Sequence, residues 1–200
     1  INKPFEQAYY SDPLFNNVLD SYRHDLTDSY LTLPVGSFQG IRNLKNIAND
    51  RLMILTSDKA YSFLDELDGL DPPEIACHGS FSLMVNYDAL KRYCNLLDGG
   101  GYFSRPVDGF ASGVLTVGFN IEDCPNAQSE VYRSIGNYGS AEYFCIYEHA
   151  EETVDQMTLK AIASYLALSC WDPYIFSLLS DRISDVIGDA DQDAIDYLSD

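Results

Sequence analysis

Positive charge is scarce in this sequence. Twelve Lys and Arg stand against 31 Asp and Glu in 200 residues, giving a formal net charge of −19. Neutralising nucleic-acid phosphates takes lysines and arginines, so this balance disfavours nucleic-acid binding and docking on anionic membranes. It is compatible with a basic partner, or with an acidic surface that serves only solubility. No apolar run reaches the roughly 18 residues needed to cross a bilayer. The opening Ile1-Asn2-Lys3-Pro4-Phe5 has no basic region followed by an apolar stretch, and it lacks an initiating Met. The five cysteines (Cys77, Cys94, Cys124, Cys145, Cys170) are odd in number and form no C-x-x-C pair. That excludes a disulfide framework and a zinc-site signature. No N-x-[ST] sequon occurs. These absences predict a soluble protein of a reducing, intracellular compartment.

Catalytic signatures are missing too. There is no G-x-G-x-x-G and no Walker loop. In Gly109-Phe110-Ala111-Ser112-Gly113 the serine comes one place late for a nucleophile elbow. His24, His78 and His149 have no metal-ligand spacing, and no Ser, Cys or Lys is visibly paired with a base. The residues alone therefore name no catalytic group, no metal ligand and no cofactor ligand.

What the sequence does contain is a clear alternation of elements. Asp12-Pro13 and Asp172-Pro173 both place a cap before a proline at the first helical position. Leu14, Val18 and Tyr22 then repeat every four residues, and a second helix runs through Phe38, Ile41, Leu44 and Ile47. The short apolar run Leu52-Met53-Ile54-Leu55-Thr56 reads as a parallel strand buried on both faces. Ser57-Asp58-Lys59-Ala60-Tyr61 reads as the polar turn after it, and 62–73 as a loop or short helix. Tyr87, Leu90, Cys94 and Leu97 form the core stripe of a helix over 86–97, stopped by Gly99-Gly100-Gly101. Alternation over 111–121 predicts a strand, with 102–107 as its hairpin partner through Asp108-Gly109. Helices follow over 143–147, 157–168, 173–186 and 193–198. A doubly buried strand needs neighbours on both edges, and the chain supplies too few parallel strands. The expectation is therefore the carboxy-terminal portion of an α/β sheet whose upstream half is missing.

Two segments are candidate sites. Ligands of open α/β sheets bind beyond the carboxyl ends of the strands, where Ser57, Asp58 and Lys59 are expected. Asp58 can accept from a hydroxyl or amine, and Lys59 can pair with a carboxylate; an ordinary hydrogen-bonded surface turn fits equally. The second is His78-Gly79-Ser80-Phe81-Ser82, running towards a helix that starts near Asn86. His78, Ser80 and backbone N–H groups there can hold an anion, or simply make loop and cap hydrogen bonds.

The same stretches carry a resemblance. Leu33-Pro34-Val35-Gly36-Ser37, residues 51–59 and residues 78–87 resemble the later part of SAM-dependent methyltransferase-like proteins that often carry tetratricopeptide repeats. More distantly, the stretch Val85-Asn86-Tyr87-Asp88-Ala89-Leu90 is similar to the MidA-like methyltransferases, whose mitochondrial relatives methylate an arginine. Trp171-Asp172-Pro173-Tyr174 and Ile187-Gly188-Asp189-Ala190 are also similar to segments further along the repeat-bearing proteins. The resemblance runs from about Tyr9 to Tyr197. It implies a class I methyltransferase-like, Rossmann-like α/β fold with 52–56 as the fifth strand and 111–121 in the terminal antiparallel hairpin. The implied division is an α/β portion over 1–125 and a helical extension over 126–200. The cofactor of the complete protein would be S-adenosyl-L-methionine, but its glycine-rich loop and acidic ribose ligand match nothing here, so the chain alone is expected to be inactive. Ser57, Asp58, Lys59, His78 and Ser80 then become the rim of a substrate cleft, and a basic protein the substrate. Partners would be the missing amino-terminal half or another chain, in a cytoplasmic or mitochondrial setting. The other reading is a non-catalytic interaction or assembly module with a helical docking surface.

Overall fold

The computed structural model describes residues 8–77, 79–107, 109–137 and 139–199. It is a mixed α/β protein whose contacts divide into two compact units, Ile1–Ser140 and Ala141–Asp200. The first helix, α1 (Pro13–Asp25), starts where the Asp12-Pro13 signal places it. The Asp12 carboxylate accepts from the Leu14 N–H at 2.9 Å, and proline needs no partner in the first turn. α1 buries Phe15, Val18 and Tyr22, while α2 (Val35–Ile47) buries Phe38 and Ile41 and leaves Leu44 and Ile47 exposed.

Then come β1 (Leu52–Tyr61), a one-turn α3 (Leu64–Leu67), and three two-residue strands: β2 (Ala76–Cys77), β3 (Phe81–Ser82) and β4 (Val85–Asn86). β2 and β3 pair as a hairpin of their own. α4 (Tyr87–Asn95) follows, started by the Asn86 side chain, which accepts from the Ala89 N–H at 2.8 Å. Its Tyr87, Leu90, Tyr93 and Cys94 are buried, as the apolar stripe requires. β5 (Gly100–Phe103) and β6 (Phe110–Val117) close the main sheet, whose order is β4-β1-β6-β5. β6 runs antiparallel to both neighbours. β1 and β5 are therefore parallel to each other, with α4 between them in sequence and β6 inserted between them in the sheet.

One core lies between this sheet and α1, α2 and α4. Its centre is aromatic: Phe38 stacks on Tyr93 at 4.5 Å between centroids, with Phe15 5.3 Å from Phe38. On the other side, Val114 packs with Ile121 and with Val131 of α5 (Pro125–Val131). β6 is thus covered on both faces. The expected boundary after residue 125 lies inside the first unit, since α5 packs on that sheet and a π-helical turn (Tyr132–Asn137) follows it directly.

The strand at 52–56 differs from expectation. It continues to Tyr61, so the anticipated turn at 57–61 is strand. It pairs antiparallel with β6 from Leu52↔Val117 to Lys59↔Phe110, and parallel with β4 only at Ala60 and Tyr61. It is not buried on both faces: Ile54 is half-buried, but Met53 is 46% and Leu55 68% exposed. A continuous apolar run reads the same whether one face or both are covered, and here only one is. Smaller corrections come from the same sheet. Gly100 and Gly101 belong to β5 rather than to a helix stop, and β6 ends at Val117, with Ile121 opening a 3-10 turn.

The second unit is helical. α6 (Ser140–Thr153), α7 (Leu159–Leu168), α8 (Pro173–Val186) and α9 (Gln192–Ser199) include every helix expected beyond residue 142. Ala150, Met157, Ile162, Leu166, Ile175 and Leu179 form its core. Asp172 caps α8 by accepting from the Tyr174 and Ile175 N–H groups. No helix is long and apolar enough to cross a membrane among the described residues.

Candidate functional site

The extended segment after α1 carries Tyr30, Leu31 and Thr32, and it is latched in place by its neighbours. The Ser29 hydroxyl donates to the Leu67 carbonyl at 2.5 Å and accepts from the Leu70 N–H at 3.1 Å. The Tyr30 N–H donates to the Leu70 carbonyl, also at 3.1 Å. From the other end, the Asn86 amide donates to the Thr32 carbonyl at 3.2 Å. Gly69 adopts φ +70° at the bend, a conformation that favours glycine. These bonds hold 29–32 against 67–70 and open a cleft of about 490 Å³. That is within the range of ligand pockets, about 300–1,000 Å³.

The cleft lies where β1 ends. Tyr61, the last residue of that strand, lines it together with Tyr30, Thr32 and Met84, and Asp71-Pro72-Pro73-Glu74 forms a rim. Asp71 and Glu74 are exposed carboxylates, and the lining residues include no cation. Prolines restrict the chain that carries both acids. Two tyrosines and two carboxylates, without a lysine or arginine, give the lining the chemistry that suits a positively charged group.

Asn86 also touches a charged network, since its side-chain oxygen accepts from the Tyr22 hydroxyl at 3.3 Å. The Tyr22 hydroxyl donates to Asp88 at 2.6 Å, and Arg92 pairs with Asp88 at 2.6 Å and with Asp25 at 2.5 Å. The Arg92 guanidinium also lies 4.3 Å from the Tyr22 ring centre. Burial, then the Asp88 charge, drives the Tyr22 phenol far above its ordinary range, so it stays a donor. Burial likewise raises Tyr87, whose hydroxyl lies 2.9 Å from Thr56. Neither phenol can serve as a base near neutral pH. This network positions α1 against α4.

The residues singled out from sequence fall elsewhere. Ser57, Asp58 and Lys59 are exposed within β1 and do not line the cleft. The Ser57 hydroxyl is 2.6 Å from that of Ser112, and Asp58 accepts from the Lys59 N–H at 2.7 Å. Ser80 is exposed in the turn of the β2–β3 hairpin, and His78 lies outside the described residues. The α4 N-terminus they were to share is filled by Asn86. Sequence reasoning misses Tyr30, Tyr61, Asp71 and Glu74, although two acids flanking a Pro-Pro pair just downstream of a strand offer a signal.

The backbone after β1, β4 and β6 is not open to cradle S-adenosyl-L-methionine. A cofactor of that kind needs glycine-lined backbone or an open helix N-terminus near a strand end. After β1, the Glu66 carboxylate already takes the Ser62 and Phe63 N–H groups at 2.7 and 3.1 Å. After β4, Asn86 takes that of Ala89. The glycine after β6, Gly118, has φ +72°, and a Cβ there would sit 1.9 Å from the Asp50 carbonyl oxygen. The protein's own backbone uses that space. Nor do three or more His, Cys, Asp or Glu converge to hold a metal among the described residues. No protein-family model, curated protein or solved structure matches the chain.

Proposed function

We propose that the chain is the substrate-side portion of a methyltransferase-like α/β protein and that it acts by binding: the cleft at the end of β1 receives a cationic side chain of a basic protein partner. The observation that carries this reading is the pairing of Tyr30 and Tyr61 with Asp71 and Glu74 in one cation-free cleft. The sheet adds support. A β1–α4–β5 crossover with antiparallel β6 between its strands suits the expectation of 52–56 as a fifth strand and 111–121 in a terminal hairpin, although the strands themselves run 52–61 and 110–117. Methyl transfer would need S-adenosyl-L-methionine held by another segment or another chain, because the backbone after β1, β4 and β6 is already engaged. Taken alone, the chain is an interaction module, and the latched walls supply the preorganisation that such a module needs.

The test is titration with Nα-acetyl-arginine methylamide and its lysine counterpart, followed by amide chemical shifts. Saturable shifts confined to 30–32, 61 and 69–74 are expected, and the neutral citrulline analogue should give none. Asp71→Asn with Glu74→Gln should remove the response. Equal shifts from citrulline, or shifts elsewhere, would sink the proposal.

A further inference from the structure

The second unit carries an aromatic corner with an unusual backbone. α7 ends at Leu168, and the chain turns through Ser169, Cys170 and Trp171 before the α8 cap at Asp172. Cys170 and Trp171 have φ of +56° and +59°. The left-handed region is uncommon for any side chain except glycine's, and two bulky residues in succession are more so. The turn is held by the Trp171 N–H donating to the Leu166 carbonyl at 2.7 Å and the Cys170 N–H to the Ala167 carbonyl at 3.1 Å. It leaves Leu168, Trp171 and Tyr174 exposed, at 56%, 49% and 68%. Tyr147 of α6 extends the patch, its ring 5.9 Å from that of Tyr174. Persistent backbone strain that displays a large indole points to recognition, and Trp and Tyr dominate the energetics of protein interfaces.

Charge narrows the occupant. From residue 141 onward there are thirteen carboxylates and two cations, Lys160 and Arg182. Arg182 is drawn to the Met157 carbonyl at 3.1 Å. Glu148 and Glu151 are exposed on α6 beside Tyr147, and Asp172 lies between Trp171 and Tyr174 in the chain. A second copy would bring the same excess of negative charge, and a nucleic acid or an anionic membrane would be repelled.

We infer that the corner of Leu168, Trp171 and Tyr174, with Tyr147, docks a lysine- or arginine-rich segment of a partner protein, its cations over the rings and against the surrounding carboxylates. This inference does not depend on the reading of the cleft in the first unit.

Trp171 is the sole tryptophan, so its fluorescence reports on the corner directly. The full chain is titrated with an amphipathic peptide of leucine and lysine, and with its leucine–glutamate counterpart. A saturable blue shift with the lysine peptide only is expected, and the apparent Kd should rise about tenfold or more when screening salt is raised. Tyr174→Ser should weaken binding about tenfold in calorimetry without changing helix content. Binding that leaves the emission unmoved, or that Tyr174→Ser does not weaken, would reduce the effect to general charge attraction and overturn the assignment. A blue shift that grows with protein concentration alone, with dimer in sedimentation, would give the corner to a second copy and overturn it too.

Discussion

The two units handle aromatic residues in opposite ways. The first centres its core on them: Phe15, Phe38, Tyr87 and Tyr93 are at most 4% exposed and stack on one another or on Phe103, while Tyr30 and Phe81 stay outside. The second builds its core from alanine, methionine, leucine and isoleucine and leaves Phe144, Trp171, Tyr174, Phe176 and Tyr197 substantially exposed. Burying a large ring is worth most where it stabilises a fold; leaving it out is useful where it must be recognised. By that contrast, the rings of the first-unit core hold structure, and contact is proposed for Tyr30 and Tyr61 at the cleft and for the exposed rings of the second unit.

The sharpest way to break the contrast is to truncate one ring on each side. Phe38→Ala should cost about 3–5 kcal/mol in urea unfolding, whereas Phe176→Ala should stay within about 0.5 kcal/mol. Comparable losses would mean that the exposed rings are structural. Next in size is Asn86→Ala, which removes the α4 cap and the tie to Thr32. A loss of about 1–2 kcal/mol is expected, with faster hydrogen exchange at Tyr30, because the cleft wall loosens. An unchanged Tyr30 amide would separate the cleft from α4.

Alkaline pH gives a further test of the buried first-unit core. Burial pushes the Cys94 thiol up to about 12, from an ordinary 9.0. The folded chain therefore retains a proton that the unfolded chain releases, so stability falls as pH rises from about 9 towards 12 and is unaffected below that window. Tyr22 and Tyr87, also raised by burial, act in the same direction at higher pH. Urea midpoints across that range should decline, and Cys94→Ala should flatten the first part of the decline. The smallest effect concerns the open side of β1. Ala60 donates to the Gly109 carbonyl, so by antiparallel alternation Ile54, Thr56 and Asp58 bond towards β6 while Met53, Leu55 and Ser57 face outward. No strand pairs with that outward edge over 52–59 among the described residues. Exchange should alternate along the strand, and uniform protection would show that a partner strand covers it.

Local signals in the sequence located most elements. The two Asp-Pro starts, the α4 stripe and the alternation before Val117 all depend on neighbours within a few residues, and they appear where the spacing puts them. The character of β1 was not legible, because Leu52 to Thr56 gives no clue that Met53 and Leu55 would be left uncovered. Nor was the cleft, which exists only because Ser29 and Tyr30 bond across about forty residues to Leu67 and Leu70. The candidates at 57–59 rest on a rule about strand ends, and the apolar run suggests an end several residues too early. Tyr61, where the strand does end, lines the cleft.

If the cleft at the end of β1 receives a cation while the strand ends leave no room for a methyl donor, two ligands must behave differently. Calorimetric titration of the chain with an arginine-bearing peptide and, separately, with S-adenosyl-L-methionine addresses both halves. Saturable binding of the peptide, lost in Tyr61→Ala, and no heat from S-adenosyl-L-methionine are expected. Tight binding of the cofactor, or a peptide isotherm indifferent to Tyr61, would contradict that expectation.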